Sequence, residues 1–468
     1  MGKFKRFPAT SGMLASILAL AWPTMLEQLM QTAVQYVDTA MVGTLGTQAT
    51  AAVGATSTVN WLVSCTISAV GIGFLAYISQ ACGAGETEKG KRASSQAVLS
   101  VLVLGLFFTA VTLGLSGWIP VWMQVDPSIQ QISSQYFFII YAPMLFRTAT
   151  IIFGTVLRAA GDSKTPMLAG LWVNAINVVL NALLIFPSRQ VVLFGHNIII
   201  WGMGLGVLGA ALASAAAFVA GGVIITIKLL RHPFISPIGQ SLKPDLQVLR
   251  PCFKVALPNC LQLFATSFGY VVFAAMINSL GDVATAAHSI ANTVESAFYI
   301  PGYGMQTAAA TLAGNAWGAR DRQRLKDLSR VILPLEICLM ILSGGLLFIF
   351  APKMMGLFSK EQQVILLGAS VLRMVAISEP FYGVSIMIEG MMQGMGNTTL
   401  PLICNITGMW GIRIVGTFLC TQVLGMGLVS AWACMIGHNL MLFAIYSYLC
   451  ATGRHIPGRL HQKQIQVS

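Results

Sequence analysis

Long apolar runs, separated by short polar breaks, fill the chain from end to end. A helix needs about 20 mostly apolar residues to cross the hydrocarbon core of a bilayer. Twelve stretches reach that length, near 12–38, 47–80, 94–116, 130–156, 165–187, 203–229, 248–279, 284–317, 328–350, 364–391, 400–422 and 425–450. A polar stretch from Arg231 to Arg250 divides them six and six. The pattern predicts an all-α integral membrane protein with twelve transmembrane helices in two six-helix lobes. The first lobe covers 1–230, a linker 231–247, the second lobe 248–451 and a tail 452–468.

A constant offset of 235 residues relates the two halves. Pro23 maps to Pro258, and Ala40-Met41, Leu45-Gly46 and Ala49-Thr50-Ala51-Ala52 map to Ala275-Met276, Leu280-Gly281 and Ala284-Thr285-Ala286-Ala287. Gly83-Ala84 maps to Gly318-Ala319, and the turn beginning at Gly161 and ending at Pro166 maps to Gly396–Pro401. The chain is two copies of one unit, an arrangement that transporters use to build a pathway between halves.

Composition agrees with the pattern. Of 468 residues 56% are apolar and 9% charged, and the mean hydropathy is +0.76. A soluble domain carries about 25% charged residues. The net charge of +12 is no sign of a nucleic-acid partner, because the basic residues sit in short loops. Of the 27 lysines and arginines, 21 fall on one side of the spans. Arg189, Lys353 and Lys360 fall on the other, and Arg147, Arg373 and Arg413 fall inside spans. This asymmetry places both termini and the linker in the cytoplasm and the chain in the cell membrane. An even number of spans per half makes the repeats parallel, related by an axis along the membrane normal. The Met1 to Pro8 segment is read as a short basic arm, and no cleavable signal peptide is evident. The nine cysteines form no CxxC or Cys/His cluster, so they are read as small packing residues, and no metal site or cofactor is expected.

Polar residues inside the spans carry the candidate chemistry, since a charge in hydrocarbon costs about 2.5–3.5 kcal/mol on insertion scales. Glu27, Gln31, Gln35 and Asp38 follow one another at spacings of four, four and three, on one face of the first span. In the fifth span Asn174, Asn177 and Asn181 share a face, and Ser214 lies in a small-residue stretch of the sixth. The functional reading is that Asp38, Asn177, Asn181 and Ser214 converge on one ion or proton site, with Glu27, Gln31, Gln35 and Asn174 lining a substrate cavity. The alternative is that the amides hold helices together. The repeat favours function. The equivalents of the first stripe are Gln262, Thr266, Tyr270 and Phe273, and those of the asparagines are Met409, Ile412 and Gly416. Packing residues are expected in both copies, whereas this constellation exists in one.

Glu295 in the eighth span is a further cavity candidate, as are Glu379 and Glu389 in the tenth, unless Arg147, Arg373 and Arg413 pair with them structurally. Glu336 follows Pro334 near a span end and is expected at the interface. Pro23 and Pro258 fall inside the first span of each half, where a proline removes a backbone hydrogen bond. Pro23 is read as either a hinge or a static bend. His288 and His438 are lone and read as structural.

These features together resemble the multidrug and toxic-compound extrusion (MATE) transporters. The resemblance rests on Pro23 followed by Tyr36-Val37-Asp38-Thr39-Ala40-Met41-Val42-Gly43, on Leu157-Arg158-Ala159-Ala160-Gly161-Asp162-Ser163-Lys164-Thr165-Pro166, and on the asparagines after it. In the second half it rests on Gly314-Asn315-Ala316-Trp317-Gly318-Ala319 and Gln393-Gly394-Met395-Gly396-Asn397. The resemblance implies two six-helix lobes around a central cavity and export of organic cations in exchange for protons or sodium. It implies a coupling acid at Asp38 with Asn177 beside it. Where some members carry an aspartate and a threonine, this chain has Asn181 and Ser214. One carboxylate is enough for a proton, whereas sodium favours several oxygen ligands with compensating charge, so protons are expected over sodium. The expected partners are small organic cations and the lipid bilayer, and the expected state is a monomer. A flippase for lipid-linked precursors, from the wider superfamily, is the alternative, disfavoured by twelve spans and acids in the first. An enzyme is disfavoured because the spans hold no HExxH or GxSxG motif.

Overall fold

The computed structural model describes residues 12–193 and 196–457. The basic arm at 1–8 and most of the tail at 452–468 lie outside the described residues. The helices are α1 (Met13–Gly43), α2 (Thr47–Ala84), α3 (Thr87–Leu115), α4 (Ile119–Trp122), α5 (Pro127–Tyr141), α6 (Met144–Ala159), α7 (Lys164–Leu184) and α8 (Val207–Leu230). The second half holds α9 (Leu246–Asn278), α10 (Asp282–Gly318), α11 (Arg322–Phe358), α12 (Gln362–Gly394), α13 (Thr399–Ile406), α14 (Val415–Phe418) and α15 (Leu428–Ala451). Wide π-helical turns at Thr407–Ile414 and Leu419–Val423 join α13 and α14 into one rod ending at Val423. Backbone hydrogen bonds must close within each rod, because hydrocarbon offers no partners.

Each expected span has a helical counterpart, with three differences in detail. The fourth span is a pair, α5 and α6, bent by 48°. Pro143 at the junction has no N–H to continue the ladder. Among the described residues ten helices are long and apolar enough to cross a membrane singly, and the bent pair makes eleven. The long helix α10 lies outside that set, since its sequence mixes alanine and glycine with Asn292, Glu295, Gln306 and Asn315. A β-hairpin, β1 (Pro187–Leu193) and β2 (His196–Met203), interrupts the expected all-helical run. Its strands pair antiparallel, Gln190 opposite Ile199 and Val191 opposite Ile198, in a stretch rich in β-branched residues.

The repeat is written into the turns. Gly46 and Gly281 have φ of +106° and +100°, and Gly161 and Gly396 have +88° and +82°. Only glycine takes such angles without strain. After each member of the second pair the chain closes the same bond, Asp162 N to Leu157 O at 3.0 Å and Asn397 N to Met392 O at 2.8 Å. Asp162 Oδ1 then accepts from Thr165 N at 3.0 Å, as Asn397 Oδ1 does from Leu400 N at 3.5 Å.

The helices form two compact units. One consists of Leu26–Phe74 and Thr87–Arg250. In it the linker lies on α3: Arg92 Nη2 donates to Asp245 Oδ2 at 2.5 Å, Gln96 Nε2 to Lys243 O at 3.0 Å, and Ser95 Oγ to Ser241 O at 2.6 Å. The other consists of the described parts of Met1–Met25 and Pro251–Ser468, together with Leu75–Glu86. The ends of α2 and α10 cross there about a symmetric contact. A Cβ at Gly83 would lie 1.9 Å from Asn315 O, and one at Gly318 would lie 1.9 Å from Gln80 O. Gln80 and Asn315 are themselves repeat equivalents. The apolar core of this unit runs through Ile17 and Leu20 of α1, Ala309 and Leu312 of α10, Ile332 of α11, Met387 and Met391 of α12 and Tyr446 of α15.

Candidate functional site

In the unit holding Leu26–Phe74 and Thr87–Arg250, α1, α7 and α8 bring together the four residues expected to converge. Asn177 and Asn181 stand one turn apart on α7 and are buried, while Asp38 and Ser214 are half-buried. Asn181 Nδ2 donates to Asp38 Oδ1 at 2.6 Å and to Asn177 Oδ1 at 3.1 Å. Asn177 Nδ2 donates to Ser214 Oγ at 3.0 Å. The four side chains therefore form one hydrogen-bonded chain across three helices.

The Asn177 amide fits in two orientations. In the first its oxygen faces the Asp38 carboxyl, a contact between two acceptors unless Asp38 carries a proton. Turned over, its nitrogen donates to Asp38 Oδ1 at 2.8 Å and Oδ2 at 3.1 Å, and its oxygen accepts from Ser214 Oγ at 3.0 Å. The turn brings the two amide nitrogens of Asn177 and Asn181 face to face, so it sacrifices their mutual bond. Protonated Asp38 suits the first arrangement and ionised Asp38 the second. Asn181 Oδ1 is buried without a partner. Tyr136 on α5 is buried and within electrostatic reach of Asp38, a neighbour that sequence spacing did not indicate.

The rest of the first-span stripe does not join this network. Glu27 is buried and bound to Arg158, whose Nη2 lies 2.7 Å from both carboxylate oxygens. Gly170 on α7 makes room, a Cβ there lying 3.4 Å from Glu27 Cγ. Gln31 and Gln35 are exposed, and Asn174 is half-buried with its Nδ2 unpartnered. The three span arginines meet other groups. Arg147 donates to Asn60 Oδ1 and, at 2.9 Å, to Ser64 Oγ. Arg373 lies 5.7 Å from the Phe348 ring, and Arg413 lies 4.7 Å from the Tyr270 ring and 4.4 Å from that of Phe273.

In the other unit Glu295 is buried on α10. Glu389 accepts from Gln262 Nε2 at 2.8 Å, Gln393 Nε2 at 3.2 Å and Asn405 Nδ2 at 3.2 Å, so three amides hold it. Glu336, expected at an interface, is fully buried. Pro23 lies within α1, and the next residue, Thr24, donates through Oγ1 to Gly304 O of α10 at 2.9 Å. Among the described residues no three Asp, Glu, His or Cys side chains group to hold a metal ion.

Comparison with known proteins agrees with this architecture. The MatE family model matches the chain twice, over residues 23–183 and 258–419, two stretches that begin 235 residues apart. A probable multidrug resistance protein NorM of Thermotoga maritima is 26% identical over 421 residues, covering 90% of this chain and 88% of that protein. The multidrug export protein MepA of Staphylococcus aureus is 23% identical over 379 residues, covering 80% of this chain and 79% of that one. A crystal structure of MATE in the bent conformation superposes with a TM-score of 0.85 at 20% identity, covering 98% of this chain and 99% of that one. Both copies of the repeat thus carry the family's pattern, and the chain belongs to the MatE family, the multidrug and toxic-compound extrusion transporters, as a multi-pass membrane protein.

Proposed function

We propose that this protein is an antiporter that exports organic cations and drugs by alternating access, coupled to protons in preference to sodium. The observation that carries the reading is the Asp38 network. It holds one carboxylate, two amides and a hydroxyl on three helices. The two orientations of Asn177 would let the network register whether Asp38 holds a proton. A single carboxylate matches a single proton, while a sodium ion would have to rely on neutral amide and hydroxyl oxygens for the rest of its shell. A membrane potential of 100 mV gives about 2.3 kcal/mol per charge to either ion, so the driving force does not choose between them. The multidrug names of the relatives support small-molecule drugs as substrates.

Proton binding is proposed to act on α1 through Pro23. That residue stands two positions before Met25, where α1 passes from one compact unit to the other. The proline interrupts the backbone ladder there and lowers the cost of a bend. Structural neighbours described in a bent and in a straight conformation support the idea of a protein with two shapes. An ion drives such a change only through its different affinity for the two states. The basic side of the chain, with the termini and linker, is proposed to face the cytoplasm, and the membrane to be the cell membrane. Purified protein in proteoliposomes tests the coupling. Efflux of an organic cation is expected to follow an imposed proton gradient at fixed sodium, and to persist when potassium replaces sodium at fixed pH. Loss of efflux on removing sodium overturns the proton assignment.

A further inference from the structure

A groove of about 300 Å³ runs between α11 and α12, which belong to the same compact unit. Gly344, Gly345, Phe348 and Ile349 of α11 and Ala376 and Ile377 of α12 line it. Exposed residues around it, Ile341 and Leu342 on α11 and Leu366 and Phe381 on α12, are apolar, so the groove opens toward lipid. Two adjacent glycines shape it for different reasons. A Cβ at Gly344 would lie 2.6 Å from Ala376 O, so this glycine lets the helices touch. Gly345 has no such role: nothing lies within 4 Å of its Cβ position, and its φ is not positive. Glycine weakens a helix interior relative to alanine. The repeat equivalent of Gly345 is Ala110, so the repeated unit does not need glycine here. What Gly345 contributes is an open hollow.

A cation stands at one end of the groove. Arg373 lies one turn before Ile377, on the side of Lys353 and Lys360, and is exposed. Its Nε donates to Phe348 O at 3.4 Å, and its guanidinium lies 5.7 Å from the Phe348 ring. Among the described residues no carboxylate pairs with it. Charged residues within spans ordinarily face the protein interior or water. Its repeat equivalent is Phe138, so the cation, like the hollow, exists in one copy. Depth fits a headgroup contact. The 33 residues of α12 extend about 50 Å, some 20 Å more than the hydrocarbon core. With the core midway, hydrocarbon begins about 10 Å along the helix, and Arg373 stands about 16 Å along. Its side chain spans the difference and carries the guanidinium to the phosphate level.

We propose that this groove binds one anionic glycerophospholipid of the bilayer. The lipid phosphate pairs with the Arg373 guanidinium, and one acyl chain lies over Phe348 and Gly345 toward Ile377. Guanidinium suits the ligand because its planar fork matches phosphate oxygens. An organic cation in the same groove would meet the like charge of Arg373.

Native mass spectrometry of the detergent-purified protein, titrated with phosphatidylglycerol or phosphatidylcholine, reads the binding. Wild type is expected to hold one phosphatidylglycerol more tightly than it holds phosphatidylcholine. Arg373→Gln is expected to weaken phosphatidylglycerol binding about fivefold, the effect of one cation on an anionic lipid, and phosphatidylcholine binding less. Gly345→Leu fills the hollow and is expected to weaken both lipids with Arg373 intact. Its new side chain enters open space, so its melting temperature without added lipid should match wild type. Lys360→Gln removes an exposed cation at the same end but outside the groove, and should leave binding unchanged. Equal affinity of wild type for the two lipids overturns the proposal, as does wild-type phosphatidylglycerol affinity in folded Arg373→Gln or Gly345→Leu protein. A loss in Lys360→Gln equal to that in Arg373→Gln would mean general charge attraction and also overturns it. Displacement of phosphatidylglycerol by ethidium would give the groove to organic cations and overturn the lipid assignment.

Discussion

Replacing Glu27 with glutamine removes the carboxylate that holds Arg158 and leaves the guanidinium in place. The magnitude follows from the geometry. One guanidinium nitrogen meets both oxygens at 2.7 Å, and the two side chains are 10% and 19% exposed. A surface pair is worth about 0–1 kcal/mol. Breaking a fully buried pair costs about 3–5 kcal/mol, because the surviving charge stays buried. Unit charges 4 Å apart at an effective dielectric of 20 attract by about 4 kcal/mol, and partial exposure reduces this. Glu27→Gln is therefore expected to destabilise the protein by about 2–4 kcal/mol. Glu27→Gln combined with Arg158→Gln leaves two neutral amides and should cost less than the single change, giving a coupling energy of about 2 kcal/mol in a double-mutant cycle.

The assay is thermal unfolding of detergent-purified single and double variants, alongside organic-cation efflux from cells at matched expression. If Glu27 serves as a clamp, the double variant regains both stability and much of the efflux that Glu27→Gln loses. If Glu27 instead offers its charge to a cationic substrate, the double variant stays inactive whatever its stability. A stable Glu27→Gln protein together with an inactive double variant would refute the clamp.

Asp38→Asn is expected to abolish drug export while the protein remains folded and inserted, and normal resistance at normal expression would remove Asp38 from the mechanism. Pro23→Ala restores a backbone N–H to α1 and is expected to slow turnover more than it weakens substrate binding, measured as efflux rate against equilibrium binding; unchanged turnover would dismiss the hinge. Gly318→Ala sets a Cβ 1.9 Å from the Gln80 carbonyl oxygen. A backbone carbonyl cannot swing away as a side chain can, so a loss of about 3 kcal/mol is expected. The repeat-related Gly83→Ala should behave alike, and a melting temperature unchanged in either would contradict the crossing.

Spans and turns were legible because each is a local signal. Apolar length marks a span, and the pairs Gly46/Gly281 and Gly161/Gly396 mark the loops where φ turns positive. The bend of the fourth span also had a local sign in Pro143. The hairpin after α7 was harder to see, because its isoleucine and valine runs continue the apolar signal of the neighbouring spans. The Asp38 network was legible because one face of α7 carries two of its members at a spacing of four. The partner of Glu27 was not. Arg158 lies 131 residues away in the last turn of α6, where its charge read as a loop cation. A long side chain at a span end reaches back along its helix, and one-dimensional spacing does not show the direction. The same limit applies to Arg147, Arg373 and Arg413, which were candidate partners of the acids because all fall inside spans, and which meet other groups.

The two copies show which polar positions the fold itself needs. The repeat equivalents of Glu27, Arg158 and Gly170 are Gln262, Gln393 and Asn405. In one copy Glu27 of the first helix binds Arg158 of the fourth span over Gly170 of the fifth. In the other the first, fourth and fifth spans are again tied at these positions, now through Glu389, which accepts from Gln262, Gln393 and Asn405. The tie persists although its charges have been exchanged for amides around one acid, as expected of a contact whose purpose is to fix helices. The Asp38 position behaves differently. Its equivalent is Phe273, buried beneath the Arg413 guanidinium, and Asn177 and Asn181 become Ile412 and Gly416. Apolar contact and the Arg413 guanidinium over the Phe273 ring stand where the first copy has its hydrogen-bonded carboxylate. A constellation that one copy keeps and the other does without supports the proposed ion role of the Asp38 network over a packing role.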